Sequence, residues 1–207
     1  MKTDFNVARK LLAEAVRTSV SICSQQYSDQ SLYAFAIVIS NDFSSMMFWA
    51  STRELLAERL SNPDLICGKE MATLYFGNFD DEDVTSVEVS DAEKVLNQPA
   101  LYEEVTYQAS YLWACTQALR DAQVAGAFAN HQPHVTAFCT MIDDWNAIWL
   151  EQQSAKFANE PDVYAAFDPE QKRACKEWFC KDTVEENDLQ REFTRLMLKD
   201  SIPDYSN

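Results

Sequence analysis

Apolar residues recur at helical spacing in two long segments of the chain. In residues 4–27 apolar side chains fall every three or four positions, and most charged side chains lie between them, which predicts an amphipathic helix. Residues 101–126 repeat this spacing, with alanines that widen the apolar face. Gly126 and the Asn-His-Gln-Pro sequence at 130–133 predict the end of this second helix.

Three short apolar segments predict strands. Residues 32–40 are rich in β-branched and aromatic residues and are short for a helix. The turn sequence at 41–44 separates them from a second apolar segment, 45–50, so the hairpin 31–50 is expected. The sequence HVTAFCTMI at 134–142 predicts the third strand.

Shorter helices are predicted between and after these segments. One begins at the capping residues Ser51 or Thr52, and another is capped by Asp91 and ends before Pro99. Residues 145–157 predict a further helix, and the segment 168–199 predicts two more.

Together these elements predict an α+β fold. A small, mainly antiparallel sheet, made of the hairpin 31–50 and the strand 134–142, is expected to pack against the long helices. We expect residues 1–167 to form the core domain and residues 168–207 to form a helical C-terminal extension packed on that core.

The charge of the chain restricts its partners. Its 33 acidic and 17 basic residues give a net charge of −16, which repels nucleic acids and anionic membranes. The start of the chain does not resemble a secretory signal, and no apolar stretch approaches 18 residues. These features predict a cytoplasmic protein with reduced thiols, and the acidity either attracts a basic partner or maintains solubility.

Motifs for cofactor chemistry are missing from the sequence. The chain has only 3 glycines and contains neither a Gly-rich phosphate-binding loop nor a G-x-S-x-G nucleophile elbow. We therefore expect no cofactor.

Asp143 and Asp144 follow the third predicted strand and are the most enzyme-like feature of the sequence. Such carboxylates can act as a general base or hold a divalent metal, which would indicate a hydrolase. The simpler interpretation is that one of them caps the helix that begins at Trp145.

Histidines and cysteines provide weaker candidates. His131 and His134 have the spacing of half a metal site, but no third histidine exists, and a turn with two ordinary polar residues is the better interpretation. Cys175 and Cys180 do not have the spacing of a redox or zinc motif, so we interpret them as structural or incidental. No metal site is expected.

Carboxylates are concentrated in one stretch of the chain. Between Asn78 and Glu104 there are nine carboxylates and one lysine. This block either docks a basic protein or is a solvated loop. The residues expected to contact a partner are Asp80, Asp81, Glu82, Asp83, Glu88 and Asp91.

Two stretches resemble a known family. They are LYAFAIVISNDFSSMMFWASTRELL at residues 32–56 and MIDDWNAIWLEQQSAKFANEPDVYAAF at 141–167, the second with a Ser-x-x-x-x-Asn-x-Pro run from Ser154 to Pro161. Over residues 5–167 the chain is similar to the bacterial family catalogued as domain of unknown function 4303. The resemblance implies no catalytic residue. By analogy, small acidic bacterial domains of this kind resemble immunity proteins of polymorphic toxin systems.

The sequence therefore favours a binding protein over an enzyme. We expect an intracellular acidic module, in its concrete form an immunity protein that neutralises a basic toxin by occlusion. The alternative is a metal-dependent hydrolase that uses Asp143 or Asp144. The sequence leaves the oligomeric state open.

Overall fold

The structure, a computed structural model, describes residues 3–54, 57, 87–131, 135–142, 146–166 and 186–199. Within these residues the predicted α+β class is confirmed. The elements in chain order are α1 (Phe5–Gln26), β1 (Leu32–Ile39), β2 (Met46–Thr52), α2 (Val87–Leu96), α3 (Val105–Val124), β3 (Thr136–Met141), α4 (Ala147–Ala158) and α5 (Asp188–Lys199). A 3₁₀ turn spans Pro99–Leu101, and residues 161–166 are helical.

Helix α1 begins where the sequence places a capping residue. The Asp4 carboxylate accepts hydrogen bonds from the backbone N–H groups of Asn6 and Val7, at 3.0 and 3.1 Å. These bonds satisfy two amides that have no partner within the helix. The helix then buries its apolar face and ends at Gln26, as the periodicity predicts.

The three strands form a sheet in the order β2-β1-β3. Strands β1 and β2 are the arms of the predicted hairpin and pair antiparallel, whereas β3 pairs parallel to β1. A parallel neighbour requires a long crossover connection, and here the chain passes through α2 and α3 before it returns as β3. The sheet is therefore mixed.

The central strand β1 is buried on both faces because successive side chains point in opposite directions. Phe35, Ile37 and Ile39 belong to the main apolar core, which also includes side chains of α1, α3 and α5. Ala34, Ala36 and Val38 lie on the other face and form a smaller cluster with residues of β3 and α4.

Helix α3 lies at the centre of this core. Every side chain from Ala109 to Leu119 is buried, so the helix is covered all round and not on one face alone. It packs against α1, α4, α5 and β3. A bidentate ion pair joins it to α1, with 2.6 and 2.7 Å between the Arg9 guanidinium and the Asp121 carboxylate. The same guanidinium lies 5.4 Å from the ring centre of Trp113.

Helix α5 belongs to the predicted C-terminal extension. Its side chains Phe193 and Leu196 are fully buried in the main core. The Phe193 ring also meets the Trp149 ring of α4 edge-on, with 5.4 Å between ring centres. This helix is thus part of the packing around α3.

The prediction that Asp91 caps a helix is wrong. Helix α2 begins at Val87, so Asp91 lies within it. Its carboxylate is paired with the Lys94 ammonium group, at 2.7 Å. An aspartate can lie inside a helix when a lysine three residues later forms an ion pair with it.

Replacing Leu112 by Ala tests the role of α3. Leu112 is fully buried, so the substitution leaves a cavity, and we expect the free energy of unfolding to fall by about 2–5 kcal/mol. Urea denaturation followed by circular dichroism measures this change. Val124→Ala is the matched control, because Val124 is 78% exposed at the end of the same helix and should change stability by less than about 0.5 kcal/mol. Equal effects at both positions would contradict the central role of α3.

Candidate functional site

Most residues that the sequence singled out lie outside the described residues. This is true of the block Asp80–Asp83, of Asp143 and Asp144, of His134, and of Cys175 and Cys180. Glu88 lies in α2, but its side chain is likewise outside the description. Asp91 is described, and its charge is offset by Lys94. The docking and hydrolase predictions for these residues therefore stay predictions.

Another set of carboxylates gathers around the tip of the β1–β2 hairpin. The turn after β1 is held by Asp42, whose carboxylate accepts hydrogen bonds from the Ser44 hydroxyl at 2.7 Å and the Ser44 N–H at 3.0 Å. These bonds, with a further contribution from Ser40, lower the pKa of Asp42 to about 2. Asp42 is exposed and therefore carries a full negative charge in any physiological buffer.

The hairpin tip is anchored to the helices beneath it. Phe43 has a φ of 60°, a strained conformation for a bulky residue, and its buried ring meets the Tyr111 ring of α3 edge-on at 5.4 Å. On the β2 side, the Met46 N–H donates to the Glu93 carboxylate of α2 at 3.0 Å. These two contacts fix the position of the Asp42 carboxylate relative to α2 and α3.

Tyr102 is within the electrostatic influence of both of these carboxylates. Partial burial raises the pKa of its phenol, and the negative charges of Asp42 and Glu93 raise that pKa further. The Tyr102 hydroxyl donates to the Asn97 side-chain oxygen at 2.6 Å, which fixes the ring. Glu103 and Glu104 follow in the chain, and both are exposed. We call Asp42, Glu93, Glu103 and Glu104, with Tyr102 among them, the acidic face.

The sequence indicated this acidic face only in part. Glu93, Glu103 and Glu104 belong to the carboxylate-rich stretch between Asn78 and Glu104, and the concentration of charge pointed to them. Asp42 was interpreted only as a turn residue. It joins the others because the hairpin folds back onto α2, and local sequence does not carry that information.

A small cleft lies on another part of the molecule, between the end of α1 and the end of β2. It is lined by Cys23, Ser24, Tyr27, Gln30, Leu32, Ala50, Thr52 and His131, and its volume of about 10 Å³ is room for roughly one water molecule. Ser24 Oγ lies 2.9 Å from His131 Nε2, the distance of a catalytic pair.

The bonding of Ser24 does not fit an activated nucleophile. Its hydroxyl has one proton, which it donates to the Val20 carbonyl oxygen at 2.6 Å, so His131 Nε2 must be the donor to Ser24 Oγ. A general base would have to accept that proton instead. The neighbouring thiol of Cys23 is neutral because burial raises its pKa to about 11. The hydrogen bond between Ser24 and His131 therefore joins the 125–131 loop to α1.

The histidine and aspartate candidates for a metal site gain no support here. In the part of the chain that the structure describes, no group of three or more His, Cys, Asp or Glu side chains is arranged to hold a metal ion.

Among the helices that the structure describes, none is long and apolar enough to cross a membrane.

The chain belongs to the family described as domain of unknown function (DUF4303), whose model matches residues 12–160. This match covers most of the 207 residues and confirms the resemblance found in the two sequence stretches. No curated protein and no solved structure matches the chain.

The His131 contact predicts a pH dependence of stability. Burial lowers the pKa of His131 in the folded protein below the ordinary 6.5. Below pH 6.5 the unfolded chain therefore binds a proton more readily than the folded chain, and the free energy of unfolding falls until the pH passes the folded pKa. His131→Gln should have a flatter stability profile between about pH 6.5 and 5 than the parent, as measured by urea denaturation across pH. Parallel profiles for the two proteins would contradict this assignment.

Proposed function

We propose that this protein is an acidic protein-binding module of the bacterial cytoplasm. Its concrete form would be an immunity protein that occludes a basic toxin. The observation that carries the proposal is the acidic face, where the charges of Asp42 and Glu93 act on Tyr102 and the exposed Glu103 and Glu104 follow it directly in the chain.

Electrostatics supports a basic partner. Asp42 is an exposed, ionised carboxylate, and the net charge of −16 adds a long-range attraction for a cationic surface. Such attraction accelerates encounter and favours partners of complementary charge. Physiological salt screens it between exposed charges that are more than about 8 Å apart. Binding should therefore decrease steeply as salt is added.

Tyr102 provides the aromatic contact that such an interface needs. Tyrosines at the centre of a polar rim are frequent energetic anchors, because they bury a large apolar area at a small cost in conformational entropy. Tyr102 is half-buried and its hydroxyl is held by Asn97, so little side-chain freedom is left to lose on binding.

The residues predicted from sequence extend the proposed contact. Asp80, Asp81, Glu82, Asp83 and Glu88 lie in the carboxylate-rich stretch that leads to Glu93, and we include them in the docking surface as part of the proposal. Asp91 is expected to contribute less, because the Lys94 ammonium already offsets its charge.

The immunity form of the proposal depends on the class of the protein and on its acidity. Family membership names no activity, and the step from a small acidic bacterial domain to toxin neutralisation is an analogy. It predicts that a basic toxin is encoded beside this protein's gene and that co-expression protects cells from it.

Neutralising the acidic face tests the proposal directly. With the basic protein of the adjacent reading frame as the probe, Glu103→Gln/Glu104→Gln should weaken binding roughly five- to tenfold at low salt, with a shallower salt dependence. Titration calorimetry at several salt concentrations measures both effects.

A matched control separates local from overall charge. Asp29→Asn/Glu160→Gln removes the same two charges from exposed positions outside the acidic face and should leave affinity nearly unchanged. If both double variants lose affinity equally, the acidic face is not the contact surface. If the adjacent protein does not bind the parent chain at all, the immunity proposal fails.

A further inference from the structure

Strand β3 lies at an edge of the three-stranded sheet, opposite β2. One side of its backbone pairs with β1, and every second residue turns its N–H and C=O groups the other way. Exposed edge groups of this kind can pair with another chain, and proteins commonly protect them. In this structure Ala137 and Cys139 carry the outward-facing groups, and both residues are buried.

Asn159, the residue that ends α4, occupies the backbone groups of Ala137. The Ala137 N–H donates to Asn159 Oδ1 at 2.8 Å, and Asn159 Nδ2 donates to the Ala137 carbonyl oxygen at 2.7 Å. A neighbouring strand would make this same pair of bonds. The second N–H of the Asn159 amide donates to the Ala155 carbonyl at 2.7 Å, so the side chain is fully bonded and held in place.

Ser154 does the same for Cys139, one step along the strand. The Cys139 N–H donates to Ser154 Oγ at 2.8 Å. The serine hydroxyl in turn lies 3.3 Å from the Cys139 carbonyl oxygen and 3.4 Å from that of Glu151. Beyond it, the Thr140 hydroxyl donates to the Glu151 carboxylate at 2.6 Å, which continues the contact between α4 and β3.

The sequence spacing of these side chains matches the spacing of the strand. Ala137 and Cys139 lie about 6.6 Å apart along an extended chain. Ser154 lies in α4, and Asn159 follows the last helical residue in an extended conformation, with φ −104° and ψ 161°. The rise of five residues between them is about 7.5 Å, and the extended backbone of Asn159 turns its side chain back to the strand. A serine and an asparagine five residues apart can therefore reach successive outward peptide groups of one strand. This accounts physically for the Ser-x-x-x-x-Asn-x-Pro run, in which Pro161 begins the helical residues 161–166.

We propose that Ser154 and Asn159 form an edge cap that prevents β3 from pairing with the β3 strand of a second copy of this chain. A second copy is the fitting occupant because the outward groups of Ala137 and Cys139 are self-complementary in an antiparallel pair. The strand Thr136–Met141 has the sequence TAFCTM, with no charge, no proline and no glycine, which is the composition of self-associating strands.

Asn159→Leu tests the edge cap. Leucine keeps a similar size but removes the three hydrogen bonds that hold the end of α4 on β3. The end of α4 should then release the strand edge, β3 should pair between copies, and the variant should shift from monomer to dimer as protein concentration rises. Size-exclusion chromatography with light scattering measures this shift. High salt should strengthen the dimer, because it screens the repulsion between two copies that each carry a charge of −16.

Leu12→Ala is the control for loss of stability alone. Leu12 is fully buried in α1, which lies outside the contact between α4 and β3, so this variant should lose stability and stay monomeric. If Leu12→Ala dimerises as readily as Asn159→Leu, association reflects general destabilisation and the proposal is overturned. It is also overturned if Asn159→Leu stays monomeric at all concentrations.

Two further measurements decide the question if Asn159→Leu does not fold. Asn159→Asp keeps the acceptor for the Ala137 N–H but replaces the donor nitrogen with a charged oxygen, and it should dimerise more weakly than Asn159→Leu by the same assay. In the parent protein, hydrogen exchange of the Ala137 and Cys139 amides should be slow, because both are bonded to the cap. Exchange of these amides at the rate of an unprotected loop would show that the edge cap does not form.

Discussion

The complete burial of helix α3 is the constraint on which the other elements depend. A helix whose side chains are buried all round must be covered on every side. Here α1, α4, α5 and the sheet pack against it. Two buried hydroxyls of α3 find partners within the same packing: the Ser110 hydroxyl donates to the Thr106 carbonyl, and Thr116 bonds the Cys139 thiol. Trp113 Nε1 and Gln123 Oε1 are buried in this helix without a hydrogen-bond partner among the described residues. At the start of the helix, the Tyr107 hydroxyl donates to the Leu96 carbonyl and so ties the end of α2 to the core. The positions of the other elements are therefore set by their packing against α3.

The acidic face depends on this centre as well. Its hairpin is positioned by the Phe43 ring against Tyr111, a residue of α3, and its helix α2 is tied to α3 through Tyr107. The charged groups thus rest on buried aromatic contacts and not on a loop that is free to move. Their arrangement can be rigid before a partner arrives, which lowers the entropic cost of binding. For the proposed occlusion of a partner, this rigidity would present a fixed pattern of charge.

Local sequence predicted the long helices, the hairpin and the third strand because their periodicities are strong. It did not predict that β3 pairs parallel to β1, since a strand of six residues has the same pattern in either direction. It also underestimated the burial of α3, because residues such as Ser110, Thr116 and Gln117 are polar by type and are buried by their surroundings. The position of Asp91 was wrong because a capping residue type also fits a helix interior when Lys94 follows. Asp42 was missed as a member of the acidic face because its neighbours there are distant in sequence.

The burial of three cysteines has a consequence for following the protein in solution. Cys23, Cys115 and Cys139 are free and buried, and burial raises the pKa of the Cys23 thiol to about 11 and that of Cys139 to about 12. The thiolate is the reactive form, so at neutral pH both the access of a reagent and the nucleophile itself are almost absent at these positions while the core is closed. Cys115 and Cys139 lie on α3 and on the strand that packs against it. The rate at which this pair is alkylated therefore reports how often the core between β3 and α3 opens.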